Sequence, residues 1–355
     1  MRGINFEIRY NRMMKAKDIS KPVIRYLISG SINRSTIVTS DGRYRVDQPG
    51  GSVLQAAGGL ALWDTSIGLL AAVSPDFPEE WIATIERRGF DINGIYKSKE
   101  IYDMRYFVAY DKTGELDRSA PVSVFRKLQT SLPPEILGYV PPDIQLDSRN
   151  RLGLTTLRPG DIPSEYLDAT AVHFCPSDFL THSLIPGVLR QGNIQTVTID
   201  PSPGYMNKTF WDDIPQVVTG ITAFLPSEEE VYSLFEGKTR DLREMAAALA
   251  AYGCEFVVIK RGAKGVLLYE HVSRSYWDIP AYPVTPVDPT GAGDAFCGGF
   301  IAGLRMKYDP LEAALMGSVS ASFKIQGTGP FYPMEALEEL VNARLEILRE
   351  KSVKS

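Results

Sequence analysis

The sequence predicts an α/β fold of three layers, in which helices cover both faces of a mostly parallel central sheet. Short apolar runs closed by Gly, Pro or Ser alternate with helical patterns along most of the chain. These runs are apolar at nearly every position, which is typical of parallel strands buried on both faces. With 355 residues, of which 44% are hydrophobic and 23% charged, the chain can bury a large core.

The apolar runs define the strands of this sheet, and the segments between them define its helices. One helix is expected between Pro78 and Gly89, and another over 239–252, where Gly253 ends the pattern. The six predicted strands lie within 23–31, 65–73, 171–176, 196–202, 222–227 and 256–262.

Two segments interrupt the alternation of strands and helices. Residues 101–119 surround the turn sequence DKTGE, and with the region near 35–47 they are predicted to form a small separate sheet over one end of the main one. Residues 125–163 are rich in proline and charge and indicate an irregular insertion, because the βα pattern resumes after them. We therefore expect one domain over 22–350 and a loosely attached N-terminal extension over 1–21.

Composition excludes several classes of function. The 38 basic and 43 acidic residues give a net charge of −5, which argues against a nucleic-acid-binding surface. No apolar run has membrane-spanning length and the N-terminus lacks a signal peptide, so a cytoplasmic protein without a membrane partner is expected. Cys175, Cys254 and Cys297 are far apart in sequence and are predicted to be buried thiols, and the three histidines lack metal-ligand spacing.

A glycine-rich turn, DPTGAGDAFCGGFIAG at 288–303, precedes the start of an apolar helix. Backbone amides of Gly291, Ala292 and Gly293 at a helix start, together with the helix dipole, favour an anion. A carboxylate at Asp294 would oppose simple anion binding, but it suits phosphoryl transfer, in which it takes a proton from the attacking hydroxyl. The alternative is a structural role for Asp294 at a helix N-terminus after a tight turn.

The helix after this turn is unusually rich in glycine. It carries Gly298, Gly299 and Gly303, which lower its helix propensity. Because glycine has no side chain, these residues are expected to let the helix pack close to the sheet.

Two better-known nucleotide motifs do not fit the chain. The triplet GKT at 237–239 would be a P-loop only if position 232 were glycine, and it is Tyr232. The turn at Gly291 and Gly293 would need a further glycine at Phe296 to form a dinucleotide-binding fingerprint, and it follows most of the predicted strands.

The stretch DPTGAGDAFCGGFIAGL resembles the C-terminal signature of the ribokinase-like sugar kinases, the PfkB carbohydrate kinase family. Three further motifs of that family appear in the expected order, so the resemblance covers about residues 23 to 345. They are PGGSVLQAAGGLALW with Gly50, Gly51 and Gln55, FLPSEEEV with Ser227 and Glu230, and KRGAKG with Lys260, Gly262 and Gly265.

The resemblance implies a three-layer α/β/α, Rossmann-like ribokinase fold with a small β-lid, whose segments would lie near 33–48 and 96–125. It also implies an ATP-dependent kinase that phosphorylates a hydroxyl of a sugar, polyol, sugar acid or nucleoside. Asp294 would be the general base, and Gly291, Ala292 and Gly293 would form the anion hole for the γ-phosphate. A homodimer could form through the lid.

The same resemblance implies the binding residues. Glu230 would hold Mg²⁺ through water, and Asp288 would help to hold a monovalent cation such as K⁺ behind the anion hole. The residues implied for the nucleotide are Lys260, Gly262, Gly265, Thr290 and Ser227. Those implied for the small-molecule acceptor are Asn33, Ser35, Gly50, Gly51, Gln55 and Asp294.

Departures from the family pattern lie mostly on the acceptor side. Many members have Asp where Ser35 stands and Asn where Gln55 stands, so free ribose is expected to be a poor acceptor. Arg34 or Arg105 could supply a cationic site for an acceptor that carries phosphate. A second hypothesis remains open from the residues alone, a non-catalytic ligand-binding or regulatory protein on the same fold.

On the nucleotide side, Ser227 replaces the usual Asn of the family. Ser227 and Glu230 have the spacing of a capping box, in which the serine caps a helix and the glutamate returns to its backbone. We therefore expect Ser227 to act as a cap more than as a ligand.

Overall fold

The computed structural model describes residues 23–111, 116–141 and 146–354, and it confirms the three-layer α/β/α architecture. The predicted N-terminal extension lies outside the described residues. The strands are β1 (Tyr26–Ser29), β2 (Asn33–Val38), β3 (Tyr44–Gly50), β4 (Ile67–Val73), β5 (Asp91–Lys97), β6 (Arg105–Tyr110), β7 (Leu116–Asp117), β8 (Ala171–Phe174), β9 (Thr196–Ile199), β10 (Ala223–Phe224), β11 (Phe256–Lys260), β12 (Val266–Glu270), β13 (Ser275–Ile279) and β14 (Val353–Lys354). The helices are α1 (Ser52–Ala61), α2 (Glu79–Arg87), α3 (Pro121–Lys127), α4 (Phe179–Leu189), α5 (Pro215–Val218), α6 (Glu228–Leu234), α7 (Leu242–Ala250), α8 (Ala292–Lys307), α9 (Pro310–Lys324) and α10 (Glu338–Lys351).

In the described part of the chain the main sheet has ten strands in the order β14-β13-β12-β11-β10-β9-β8-β1-β4-β5. The run from β11 to β5 is parallel throughout, and it contains all six predicted strands. β12, β13 and β14 add an antiparallel edge. β5 was not predicted, because its sequence DINGIYK mixes polar and apolar residues.

The two faces of the sheet are covered by different helices. Leu27 of β1 packs into a core shared with α4, α6 and α7. Its neighbours Tyr26 and Ile28 point to the opposite face, toward a core shared with α1 and α8. This alternation along a single strand follows from the two-residue repeat of an extended chain. Among the described residues, no helix is both long and apolar enough to cross a membrane.

The small sheet predicted from the sequence is present, with strand order β3-β2-β6-β7. β6 and β7 pair antiparallel as the hairpin prediction required, although 112–115 of the turn lie outside the described residues. The small sheet has a core of its own, in which Phe107 of β6 packs with Phe125 of α3 and with Ile136. The start of the 125–163 segment therefore covers the face of this sheet on which Phe107 lies.

The glycines of α8 face neighbouring helices, which corrects the expectation that they face the sheet. A Cβ atom at Gly298 would overlap the carbonyl oxygen of Ala56 in α1. At Gly303, a Cβ would lie 2.7 Å from the Cα of Ala313 in α9. The glycines thus allow close helix–helix contact within one layer, and they hold α8 between α1 and α9.

Candidate active site

The predicted residues Lys260 and Gly293 come together at the carboxyl edge of the parallel strands, next to Asp200, which was not predicted. Asp200 directly follows β9, and Lys260 is the last residue of β11. The N-terminus of α8 lies at the same edge, because a Cβ at Gly293 would be 3.6 Å from the Lys260 ammonium nitrogen. Ligands of open α/β sheets bind in the crevice outside this edge.

The glycine turn forms the N-terminus of α8 as predicted. Gly291 has a left-handed backbone with φ of 76°, which favours glycine, and a Cβ there would overlap Gln55. The Ala292 amide donates to the carbonyl of Pro289 at 3.1 Å. Among the described residues, the amides of Gly291 and Gly293 have no such acceptor. Gly291 and Gly293 are therefore the amides of the turn that remain available to an anion.

Asp294 occupies the first turn of α8, next to this group of amides. Burial and the negative charge of Asp200 raise the pKa of Asp294 to about 7, while Lys260 and Lys324 oppose the shift. A carboxyl group with a pKa near neutrality can accept a proton and release it again under physiological conditions. This property is unusual for an aspartate that serves only to cap a helix.

Asp200 is a residue of the site that the sequence prediction missed. Its carboxylate forms a buried ion pair with Lys260, which had been assigned to the nucleotide groove. Burial opposes the charge of Lys260, but the nearby Asp200 carboxylate outweighs that effect and raises the pKa of Lys260 above its usual range. The signal was present in TVTIDPS, because an acidic residue directly after a buried parallel strand lies at the ligand-binding edge.

Ser227 and Glu230 form the predicted capping box at the start of α6. The Glu230 Oε2 atom accepts from the Ser227 amide at 2.7 Å and from its hydroxyl at 2.8 Å. Burial, followed by the charge of Asp200, raises the pKa of Glu230 to about 7. Within the described residues the Oε1 atom accepts no hydrogen bond, so the cap occupies only half of the carboxylate.

The residues present fit a magnesium ion that keeps most of its water. The described residues contain no group of three or more His, Cys, Asp or Glu side chains arranged to hold a metal. Mg²⁺ in kinases is usually bound by one or two carboxylates, several waters and the phosphates of the substrate. The free Oε1 atom of Glu230 suits a contact of this kind.

The predicted acceptor residues are also adjacent to one another. The buried Ser35 hydroxyl donates to Asn33 Oδ1 at 2.6 Å, and Gly50 packs directly against both side chains. Gln55 lies next to Gly291, and its buried Oε1 atom has no hydrogen-bond partner among the described residues. Gln55 therefore links the acceptor residues to the glycine turn and offers an unused acceptor atom.

Ser35, Gly50 and Gln55 line a cavity of about 520 Å³, which is in the usual range for small-molecule sites. Arg45 and Arg88 also line it. Among the described residues neither arginine is paired with a carboxylate, and the Arg88 guanidinium lies 5.4 Å from the ring centre of Phe331, also in the lining.

The two arginines suggested from the sequence as a cationic site are already paired. Arg34 forms two hydrogen bonds with Asp47, at 2.6 and 2.7 Å. Arg105 contacts Asp103 at 2.7 Å. Neither lines the cavity, so the positive charge at the cavity comes from other arginines.

The remaining nucleotide residues lie near the same edge. The hydroxyl of Tyr110, from the small sheet, is 3.0 Å from the Thr290 hydroxyl. Gly262 and Gly265 lie at the tight turn after β11, where both have positive φ and the Gly265 amide donates to the Gly262 carbonyl at 3.0 Å. Their roles toward a nucleotide stay predictions.

Asp288 is fully buried, and a fully buried lysine lies beside it. The Lys324 ammonium nitrogen is 3.3 Å from the Asp288 carbonyl oxygen and 3.6 Å from its Oδ2 atom. A free monovalent cation bound by Asp288 would therefore meet a positive charge already in contact with the same oxygens. The residues do not fit the potassium site that the resemblance implied.

Comparison with known proteins shows which proteins the whole chain is similar to. Residues 188–337 match the profile of the pfkB family carbohydrate kinases. The chain is 30% identical over 295 residues to a cytidine kinase from Thermococcus kodakarensis, covering 81% of this chain and 90% of that one.

Solved structures show the same fold. An Escherichia coli protein with the provisional name ribokinase II, in complex with ATP and Mg²⁺, matches with a TM-score of 0.65 at 18% identity, covering 91% of this chain and 99% of that one. A fructokinase double mutant from Vibrio cholerae O395, with fructose, ADP and a potassium ion bound, matches with a TM-score of 0.64 at 18% identity, covering 92% and 99%. The chain therefore belongs to the PfkB family of carbohydrate kinases and is a phosphotransferase with an alcohol group as acceptor.

Proposed function

We propose that the protein transfers the γ-phosphate of ATP to a hydroxyl group of a small acceptor bound in the cavity at Ser35 and Gln55. The observation that carries this proposal is the position of Asp294. Its carboxyl group has a pKa raised to about 7, and it lies beside two free amides at the N-terminus of α8.

In the proposed step, Asp294 accepts the proton of the acceptor hydroxyl as that oxygen forms its bond to the γ-phosphorus. The bond between the γ-phosphorus and the bridging oxygen breaks, and ADP leaves with that electron pair. The amides of Gly291 and Gly293, at the positive end of α8, stabilise the negative charge on the phosphoryl oxygens. Each such donor is worth about 2.7–4 kcal/mol in comparable sites.

Glu230 would hold Mg²⁺ through water, using the Oε1 atom that the capping box leaves free. When bound, the ion neutralises charge on the nucleotide phosphates. Lys260 is held by Asp200 beneath the glycine turn, so it contributes a fixed positive charge close to the phosphates. Thr290, Gly262 and Gly265 line the nucleotide side in this proposal.

For the acceptor we favour a nucleoside or another substituted sugar over free ribose. The cavity volume of about 520 Å³ leaves space beyond a single sugar ring. Phe331 and Tyr332 in the lining offer aromatic surfaces for a base. The similarity to a cytidine kinase supports testing nucleosides first.

A second candidate acceptor, a sugar acid or sugar phosphate, is favoured by Arg45 and Arg88. Both line the cavity without a carboxylate partner among the described residues. Guanidinium groups bind carboxylates and phosphates through paired hydrogen bonds. The expected homodimer through the small sheet and the cytoplasmic location stay predictions.

A coupled assay of ADP release across nucleosides, free sugars, polyols, sugar acids and sugar phosphates tests the proposal. Release above the background ATPase rate with one of these classes is the expected result, and no release with any class would contradict it. Arg45→Gln then separates the two acceptor candidates, because it should lower kcat/KM only for an anionic acceptor. Arg87→Gln is the matched control, since Arg87 is exposed and does not line the cavity.

A further inference from the structure

The cation beside Asp288 belongs to the chain itself. Lys324 is the last residue of α9, and its side chain is 0% exposed, as is that of Asp288. A buried lysine without a negative partner would be expelled or deprotonated. Here burial lowers the pKa of Lys324 and the Asp288 carboxylate opposes that shift.

The surrounding backbone is already satisfied by protein groups. The Ile325 carbonyl, one residue beyond Lys324, accepts from the Val287 amide at 2.6 Å and from the Asp288 amide at 3.2 Å. The Oδ1 atom of Asp288 accepts from the Thr290 amide at 3.0 Å. Protein donors thus occupy two of the oxygens that a monovalent ion would use, whereas the buried Oδ2 atom of Asp288 accepts no hydrogen bond from the described residues and is compensated only by the Lys324 ammonium at 3.6 Å.

The Lys324 ammonium group is also close enough to Asp294 to lower the pKa of its carboxyl group. It is one of the two positive charges that lower the pKa of Asp294, the other being Lys260. Asp288 precedes the glycine turn by three residues, so a positive charge at this point lies behind the free amides of α8. It therefore adds to the field of the helix N-terminus where phosphoryl charge would develop.

We propose that the Lys324 ammonium is a built-in replacement for a bound monovalent cation, so that this protein needs no potassium for activity. An ammonium group and a potassium ion have the same charge and a similar size. The proposal rests on the proposed phosphoryl transfer for its kinetic consequences, but its structural part does not. It sets this chain apart from the fructokinase neighbour that was solved with a potassium ion bound.

The test compares the wild-type protein in potassium chloride and in tetramethylammonium chloride at one ionic strength. We expect kcat/KM to change less than about twofold, because the fixed ammonium already supplies the charge. Crystals soaked in rubidium chloride should show no anomalous peak beside Asp288. A fivefold or larger activation by potassium, or rubidium density at Asp288, would overturn the proposal.

The variant Lys324→Met removes the charge and keeps an apolar side chain of similar length. This substitution should lower kcat by about 10²–10³, which is the scale for losing one electrostatic group in such a site. Added potassium should then raise the kcat of the variant at least tenfold. Lys307→Met, at the exposed end of α8, is the matched control and should change neither quantity. Full activity of Lys324→Met without potassium would contradict the proposal.

Two features keep the result interpretable. If Lys324→Met does not fold, the wild-type potassium comparison and the rubidium soak still decide the question. If no acceptor supports ADP release, the proposed function fails, while the thermal stability of the nucleotide-bound wild type remains a separate readout. That stability should be the same in potassium and tetramethylammonium chloride, and a rise in Tm caused only by potassium would count against the built-in cation.

Discussion

The phosphate side and the acceptor side of this site are built in opposite ways. On the phosphate side the charged groups are buried and paired, as in the contact between Lys260 and Asp200. On the acceptor side a cavity is lined by polar groups and by three arginines, of which Arg45 and Arg88 lack a carboxylate partner among the described residues while Arg43 is paired with Asp41. The phosphate side rests on the main sheet, whereas Ser35 belongs to the small sheet.

This difference indicates where the proposed chemistry and the choice of acceptor reside. Charged groups that are buried and paired with one another can reorient only at a large cost in free energy, so they are preorganised for one reaction. An open cavity with unused hydrogen-bonding groups, such as the Gln55 Oε1 atom, can be adapted to different acceptors by a few side-chain changes. Substitutions on the phosphate side should therefore change kcat, and those on the acceptor side should change the ranking of acceptors.

The strongest test of this contrast is Asp294→Asn. The amide keeps the shape of the side chain but cannot accept the proton, so kcat should fall by about 10²–10⁴. Nucleotide affinity should stay within a few-fold of the wild type, as measured by calorimetry. Asp309→Asn is the matched control, because asparagine caps α9 about as well as aspartate does. Retention of a tenth or more of the wild-type kcat would leave Asp294 with a structural role.

Glu230→Gln should give the next largest effect. Glutamine can serve in a capping box, so the Tm should change little, while loss of the carboxylate should lower kcat by about 10–100-fold and raise the magnesium requirement. Glu228→Gln in the same helical turn is the control, since Glu228 pairs with the exposed Lys264. An unchanged magnesium titration with full activity would leave Glu230 as a cap only.

Much of the fold could be predicted because its signals are local. The six parallel strands are apolar runs, and the capping box at Ser227 depends on residues three apart. β5 was missed because its polar and apolar residues follow no regular pattern, and Asp91 and Lys97 at its ends resemble loop residues. β13 and β14 were missed because they lack an apolar run, which an antiparallel edge does not need. β12 does contain one, VLLY at 266–269, and the sequence prediction did not include it.

The parts of the site that escaped prediction depend on contacts between distant segments. Lys260 and Asp200 are sixty residues apart, and nothing local indicates that they pair. Lys324 looks like an ordinary basic residue at the end of a helix, where a cation is favourable. Only the packing of α9 against the loop before α8 shows that it contacts Asp288.

The pH dependence of the reaction tests the role of Asp294 on the phosphate side. Because the Asp294 pKa is raised to about 7, its base form predominates above that pH and is lost as the pH falls. We expect kcat/KM to decrease about tenfold per pH unit below 7.

Asp200→Asn removes a negative charge that raises the pKa of Asp294. The low-pH side of the kcat/KM profile, its acid limb, should therefore move to lower pH. The same variant should have a lower Tm, because the buried Lys260 loses its partner. Asp213→Asn, in a surface pair with Arg149, should leave the limb unchanged. An acid limb that does not move in Asp200→Asn would argue against Asp294 as the titrating base.

The smallest expected effect is on the acceptor side, at Ser35. A carboxylate there could accept charge-assisted hydrogen bonds from two neighbouring hydroxyls, whereas serine offers one weaker contact and already donates to Asn33. Ser35→Asp should therefore improve kcat/KM for free ribose about fivefold relative to the preferred acceptor, with kcat for that acceptor nearly unchanged. Thr84→Asp adds the same charge elsewhere in the cavity lining and should not favour ribose.

Ribose as the best wild-type acceptor would contradict the proposal, and an unchanged ranking in Ser35→Asp would show that Ser35 does not contact the acceptor. A large fall in kcat in Ser35→Asp would contradict the separation of the two sides, because it would mean that the small sheet also positions the reacting hydroxyl.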